Sequence, residues 1–228
     1  MNTKMQWLMA VVAGVGLVVW PGCSPKDEES SPGKNSRLPV SYEWNLGQLD
    51  GRYQFLARGA GMNLFLAPTE MVVDLGNGRD TVHAQLEGAN AAAQAERLGP
   101  PDTMANYFIG ADPTKWITDV PMYGRVRYRD VYKGIDVEYH GENGSFEHDF
   151  IVRPGADPSK IRVAFAGADE VTIDAEGNLE VGVGEHRTRW QKPVLYQQRN
   201  GRKTAVEGSY RLGSDQVATF SVGTYDRS

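Results

Sequence analysis

The residues best suited to chemistry stand together in YGRVRYRDVYKGIDVEYHGENGSFEHDFIV, from Tyr123 to Val152. At a strand's period of two, Arg125, Arg127 and Arg129 share one side of a first strand. Asp136, Glu138 and His140 share one side of the next, and Glu147 and Asp149 one side of a third. Several of these carboxylates could hold calcium, although calcium loops gather their oxygens on a turn at spacing such as D-x-D-x-D-G, which is absent. His140 with Glu147 or Asp149 could ligate zinc or another transition metal. Two carboxylates across a cleft could hydrolyse a glycoside at separations of about 5 Å or about 6.5–9.5 Å, provided that one stays protonated. Arginines nearby favour the ionised form, the wrong state for a general acid.

A structural reading uses the same residues. Asn143-Gly144 between alternating segments is a strong hairpin signal. A two-residue turn sets His140 opposite Glu147 and Glu138 opposite Asp149; a four-residue loop sets Glu138 opposite Glu147 and Asp136 opposite Asp149. Both registers keep the five residues Asp136, Glu138, His140, Glu147 and Asp149 on one face. Ile135, Val137, Tyr139, Phe146, His148, Phe150 and Val152 fall on the other, which belongs to the core, with His148 as a core histidine rather than a ligand. Like charges facing across a ladder repel, and the short DVYKG connection brings the arginine strand alongside to neutralise them. The expectation is an exposed face of ion pairs, Arg125, Arg127 and Arg129 against the carboxylates, each pair of small value.

The elements that must position these residues read as strands. Glycine-rich turns punctuate short apolar runs at Gly59 to Gly61, Gly76-Asn77-Gly78, Glu176 to Asn178, Asn200-Gly201 and Gly213 to Asp215. Such spacing predicts an all-β fold: an antiparallel β-sandwich, large or double, built from hairpins with at most one short helix. The one helix candidate is NAAAQAERLG, Asn90 to Gly99, with Asn90 as cap, read as a surface helix or a loop insertion. GADPTKW at Gly110 and GADPSKI at Gly155 each place Asp before Pro as the start of one helical turn.

No G-x-S-x-G, H-E-x-x-H or G-x-x-x-x-G-K pattern occurs, and His83 and His186 stand alone in the sequence. Trp44, Trp116 and Trp190 could form a sugar-stacking platform, but in a sandwich without disulfides such residues more often anchor the core.

The chain has 228 residues and a formal net charge of -5, enough for a real core and without the basic footprint of nucleic-acid binding. Lys4 precedes an apolar run from Trp7 to Trp20, then Pro21, Gly22 and the single cysteine, Cys23. This is the anatomy of a leader, residues 1–22, and resembles a bacterial lipoprotein signal in which Cys23 becomes the lipidated first residue; a plain secretory signal and an uncleaved anchor are the alternatives, and all three export the domain. Trp20 and Pro21 depart from the usual Leu and small residue before that cysteine. Residues 23–40 are rich in Ser, Pro and charge and read as a lipid-anchored flexible tether, and residues 41–228 as a single β-sandwich domain.

The segments NLGQLDGRYQFLARGAGMNLFLAP, NYFIGADPTKWITDVPMYGRVRYRDVYKGIDVEYHG, FEHDFIVRPGADPSKI and RWQKPVLYQ together resemble an uncharacterised exported bacterial domain found ahead of SBBP-type β-propeller repeats. The likeness runs from about Asn45 to Arg227. It implies a β-rich surface or secreted module attached to larger assemblies, and implies no activity. In that family repeats usually follow the YDRS end, whereas this sequence stops at Ser228, so the expectation is either a stand-alone lipid-anchored version or a truncated fragment of a propeller-repeat surface protein.

The functional expectation is a non-enzymatic envelope lipoprotein domain, exported and held at a membrane by an N-terminal lipid, acting as a structural, adhesive or protein-interaction module. A glycan-binding or carbohydrate-active sandwich is the alternative. No cofactor is expected, with calcium on the acidic face as the one candidate, and the partners are a membrane and a surface protein or glycan, not nucleic acid.

Overall fold

The computed structural model describes residues 13–17, 40–59, 61–75, 78–142 and 145–226. Its strands are, in chain order, β1 (Ala13–Leu17), β2 (Tyr42–Trp44), β3 (Phe55–Gly59), β4 (Met62–Ala67), β5 (Glu70–Asp74), β6 (Thr81–Leu86) and β7 (Gln94–Arg97). They continue as β8 (Thr103–Tyr107), β9 (Ile117–Tyr123), β10 (Val126–Tyr132), β11 (Ile135–Glu142), β12 (Ser145–Val152), β13 (Val163–Ala166) and β14 (Glu170–Ile173). The last are β15 (Leu179–Val183), β16 (His186–Trp190), β17 (Leu195–Arg199), β18 (Arg202–Val206), β19 (Gly208–Leu212) and β20 (Val217–Val222).

Eight strands form one sheet in the order β14-β15-β16-β1-β12-β11-β10-β7, and ten form a second, β19-β20-β13-β6-β5-β4-β3-β2-β9-β8. β17 and β18 make a separate two-stranded ribbon. β14 with β15, β17 with β18 and β19 with β20 are joined at turns expected from the sequence. At Asn200-Gly201 both residues take positive φ, 50° and 79°, which matches the right-handed twist of β17 and β18.

The two large sheets pack face to face over one core. Phe55 of β3 meets Tyr128 of β10 at 6.0 Å between ring centroids, Phe150 of β12 meets Phe220 of β20 at 5.9 Å, and Phe165 of β13 meets Trp190 of β16 at 5.0 Å. This is the all-β antiparallel sandwich expected. The chain enters the core at Val40, already buried, one residue before the expected domain start. Of the segment read as leader and tether, Ala13–Leu17 forms β1; Cys23 and the other residues before Val40 lie outside the described residues.

Among the described residues there is no α-helix, and Asn90 to Gly99 is not the expected one. The Asn90 side chain accepts from Ala92 N at 3.0 Å and closes a turn, after which β7 pairs with β10. Alanine's helix propensity is a small local preference, and strand pairing along an open edge overrides it. The two Asp-Pro motifs do form single 3₁₀ turns, Pro113–Lys115 and Pro158–Lys160, with Asp112 accepting from Thr114 N at 3.1 Å and Asp157 from Ser159 N at 3.0 Å.

Candidate functional site: the arginine-capped carboxylate face

β11 lies between β10 and β12, and its register with β12 sets His140 opposite Glu147 and Glu138 opposite Asp149, the two-residue alternative. The expected division of faces holds: Ile135, Val137, Tyr139, Phe146, His148, Phe150 and Val152 are all buried in the core. His148 lies among the rings of Tyr139, Phe150 and Trp190 at 6.1, 5.6 and 5.6 Å.

The charged face is not the exposed surface that the alternation predicts. Glu138 is 1% exposed and Asp136 3%. Arg127, directly across the ladder from Glu138, donates from Nε at 3.0 Å and from Nη2 at 2.5 Å to Glu138 Oε2. Arg125 Nη2 donates to the other oxygen, Oε1. Alternation fixes the direction in which a side chain leaves the sheet, whereas burial depends on what folds over it. Here long arginine side chains from the neighbouring strand roof a central one.

Arg129 does not join this row; its Nε lies 2.5 Å from Glu96 Oε1 on β7. The β10–β11 register shifts between Tyr128 and Tyr132, where Asp130 takes a φ of 52°. Beyond that irregularity Asp136 Oδ1 accepts from the Asp130 backbone N–H at 2.9 Å and lies 3.2 Å from Arg153 Nη1. Arg153 also pairs with the Asp130 carboxylate. Sequence reading missed Arg153 because it follows the last residue of β12 and carries no strand parity.

His140 sits between two carboxylates, its Nε2 3.2 Å from Asp149 Oδ2 and its Nδ1 3.6 Å from Glu147 Oε2. The hydrogen bond to Asp149 raises the imidazole's pKa above its ordinary value against the opposing effect of burial. When protonated, the ring has one N–H donor for each carboxylate. The carboxylates meet different nitrogens instead of converging with the ring on one point, which suits a cationic imidazolium and not a shared metal ion. Among the described residues no group of three or more His, Cys, Asp or Glu side chains is arranged to hold a metal. Both oxygens of Glu138 and Oδ1 of Asp136 are taken by guanidinium groups.

A similar device, not foreseen from sequence, occupies the second sheet. Glu43 on β2 is 4% exposed and accepts from Arg58 of β3 and from the Tyr107 hydroxyl of β8, while Arg58 Nη1 lies 3.1 Å from that hydroxyl. Burial, then the bond to Glu43, raises the Tyr107 pKa and keeps the phenol a donor. Glu43 and Tyr107 are 64 positions apart, so no local pattern signals the pair. His83 and His186, solitary in sequence, each meet a carboxylate, Glu70 at 3.0 Å and Asp80 at 2.9 Å.

The tryptophans do not form a platform. Trp190 is buried, Trp44 packs edge-on against Phe55 at 5.0 Å, and Trp116 meets Phe108 at 5.1 Å. A small concavity does place Trp44 and Tyr53 together, but Arg97 lies over the Trp44 ring at 4.8 Å and Arg52 over Tyr53 at 4.6 Å. An open groove lined by Pro193, Val194, Val206 and Ser209 has no aromatic side chain in its wall.

What is presented instead is apolar. Phe108 is 62% exposed, Ile109 71%, Met104 48% and Trp116 38%, all on the β8–β9 hairpin at the edge of the ten-stranded sheet. The loop that carries them is tied down: the Trp116 indole N–H donates to Gly110 O at 3.1 Å and Asp112 caps the turn between.

Fold and face together define a large antiparallel β-sandwich whose clustered ionisable residues are committed to internal ion pairs. The chain belongs to the DUF7948 family, described as a domain of unknown function, which it matches over residues 42–228. No curated protein and no solved structure matches it.

Proposed function

We propose that this is an exported, non-catalytic cell-envelope domain, anchored by lipid at Cys23, that acts as a structural or adhesive protein-interaction module of the kind placed ahead of SBBP-type propeller repeats. The observation that carries the reading is the β8–β9 hairpin, which holds Phe108, Ile109 and Trp116 out in solvent on a hydrogen-bonded loop. Large apolar side chains clustered on an ordered surface loop favour contact with another protein, and their fixed position lowers the entropy lost on docking. The committed state of Asp136, Glu138 and His140 supports a role without catalysis.

Two measurements test the two halves of this reading. Cys23→Ser should move the protein from the membrane to the soluble fraction; an unchanged membrane pool contradicts anchoring. The full chain extracted in mild detergent should run as a complex larger than one chain, and Phe108→Ser with Ile109→Ser should reduce it to a monomer with its melting temperature changed by no more than about 2 °C. Identical migration of both proteins contradicts the interaction role of the hairpin.

A further inference from the structure

In the eight-stranded sheet the runs β7-β10-β11-β12 and β14-β15-β16 are joined through β1; among the described residues no ladder links β12 directly to β16. β1 is antiparallel to both, so β12 and β16 run parallel to each other, two strand spacings or about 9.5 Å apart. Ala13 stands opposite His148, Val15 opposite Phe146 and Trp190, and Leu17 opposite Thr188, and all four partners are buried. Gly14 and Gly16 stand opposite Glu147 and Arg189, which reach solvent.

The five residues in this slot fall within the apolar run that precedes Cys23. On the export reading above, on which this inference rests, the mature chain has lost them. β12 and β16 then cannot meet by a small adjustment. Phe150 of β12 is packed on Phe220 and Trp190 of β16 on Phe165 in the facing sheet, and closure would slide one run sideways by about 4.8 Å. An empty slot would leave two facing rows of unpaired backbone donors and acceptors and uncover the flanks of Phe146 and Trp190.

We propose that the slot between β12 and β16 is a strand-acceptor site, which in the exported protein takes an extended segment of another polypeptide. The segment is apolar at alternate positions and completes the sheet by pairing along both edges. Backbone hydrogen bonds on two sides supply affinity, and the buried residues Phe146, Trp190 and Thr188 beside the slot favour apolar side chains at alternate positions.

The test uses the full chain, expressed with its leader and purified from the envelope, its N-terminus read by intact mass. The probe is a synthetic VVAGVGLVV peptide, residues 11–19, flanked by lysines for solubility. In protein processed before Cys23, the proposal expects β12 and β16 amides that exchange freely, slow by about tenfold or more with the peptide, and do not respond to the same peptide carrying Val15→Asp. Processed monomer whose β12 and β16 amides are already protected, or do not respond to the peptide, overturns the acceptor site and leaves export standing. A mass that still includes Ala13–Leu17 overturns it differently, since the strand is then supplied by the chain itself and lipid anchoring at Cys23 falls too.

Discussion

Glu138 holds two guanidinium groups from the adjacent strand, and its removal would leave Arg125 and Arg127 with no counter-charge over a buried position. Breaking a buried pair from one side costs more than the pair contributes, because the remaining charge keeps its desolvation penalty. Glu138→Ala should therefore lower stability by about 2–4 kcal/mol in urea unfolding, partly relieved because Arg125 can turn to solvent. Arg129→Ala should cost less than about 1 kcal/mol, since its pair with Glu96 is largely exposed. His140 adds a pH dependence. Its pKa is raised in the folded state, so its contribution is fully present below the ordinary histidine value, about 6.5, and is lost as pH rises through the folded value. Melting temperature should fall over that window in the wild type, and His140→Gln should flatten the slope. At this scale the sequence showed which residues share a face, because parity survives either turn register. It did not show burial, which depends on the arginines that fold over Glu138, nor the pairing of Asp136 with Arg153, which lies beyond an irregularity at Asp130 that no residue pattern announces.

Among the elements, β11 and β12 carry the charged face, and their pairing is tight at a glycine. A Cβ on Gly141 would lie 2.5 Å from Ser145 O and 2.6 Å from Val40 Cγ2, so Gly141→Ala must push backbone or core aside. A loss of about 2–3 kcal/mol is expected from denaturant midpoints. Gly182→Ala is the control: the three atoms nearest its new Cβ all belong to the guanidinium end of Arg187, a half-exposed side chain that can swing away, and the loss should stay below about 1 kcal/mol. Hairpins were legible because Gly and Asn at turn positions have a local steric reason. The strand β7 was not, since its state is decided by β10, about thirty residues further on. Nor was β1 legible as a strand, because an apolar run with one preceding lysine reads equally as a leader and places no residue against β12 or β16.

The whole molecule divides its chemistry from its contacts. Carboxylates on both sheets are met by arginines, histidines and a tyrosine of the same chain, which fixes the sandwich and leaves no converging set of ligands among the described residues. The apolar hairpin and the sheet slot are what remain for other polypeptides. The separation rests on the acidic face being structural, and one measurement addresses it directly: the melting temperature of the full chain with and without about 1 mM calcium or zinc. No change beyond about 1 °C is predicted, because Asp136, Glu138, Glu147 and Asp149 already face Arg125, Arg127, Arg153 and His140. A rise of several degrees that disappears in Glu147→Gln with Asp149→Asn would contradict the account and make the same face a metal site.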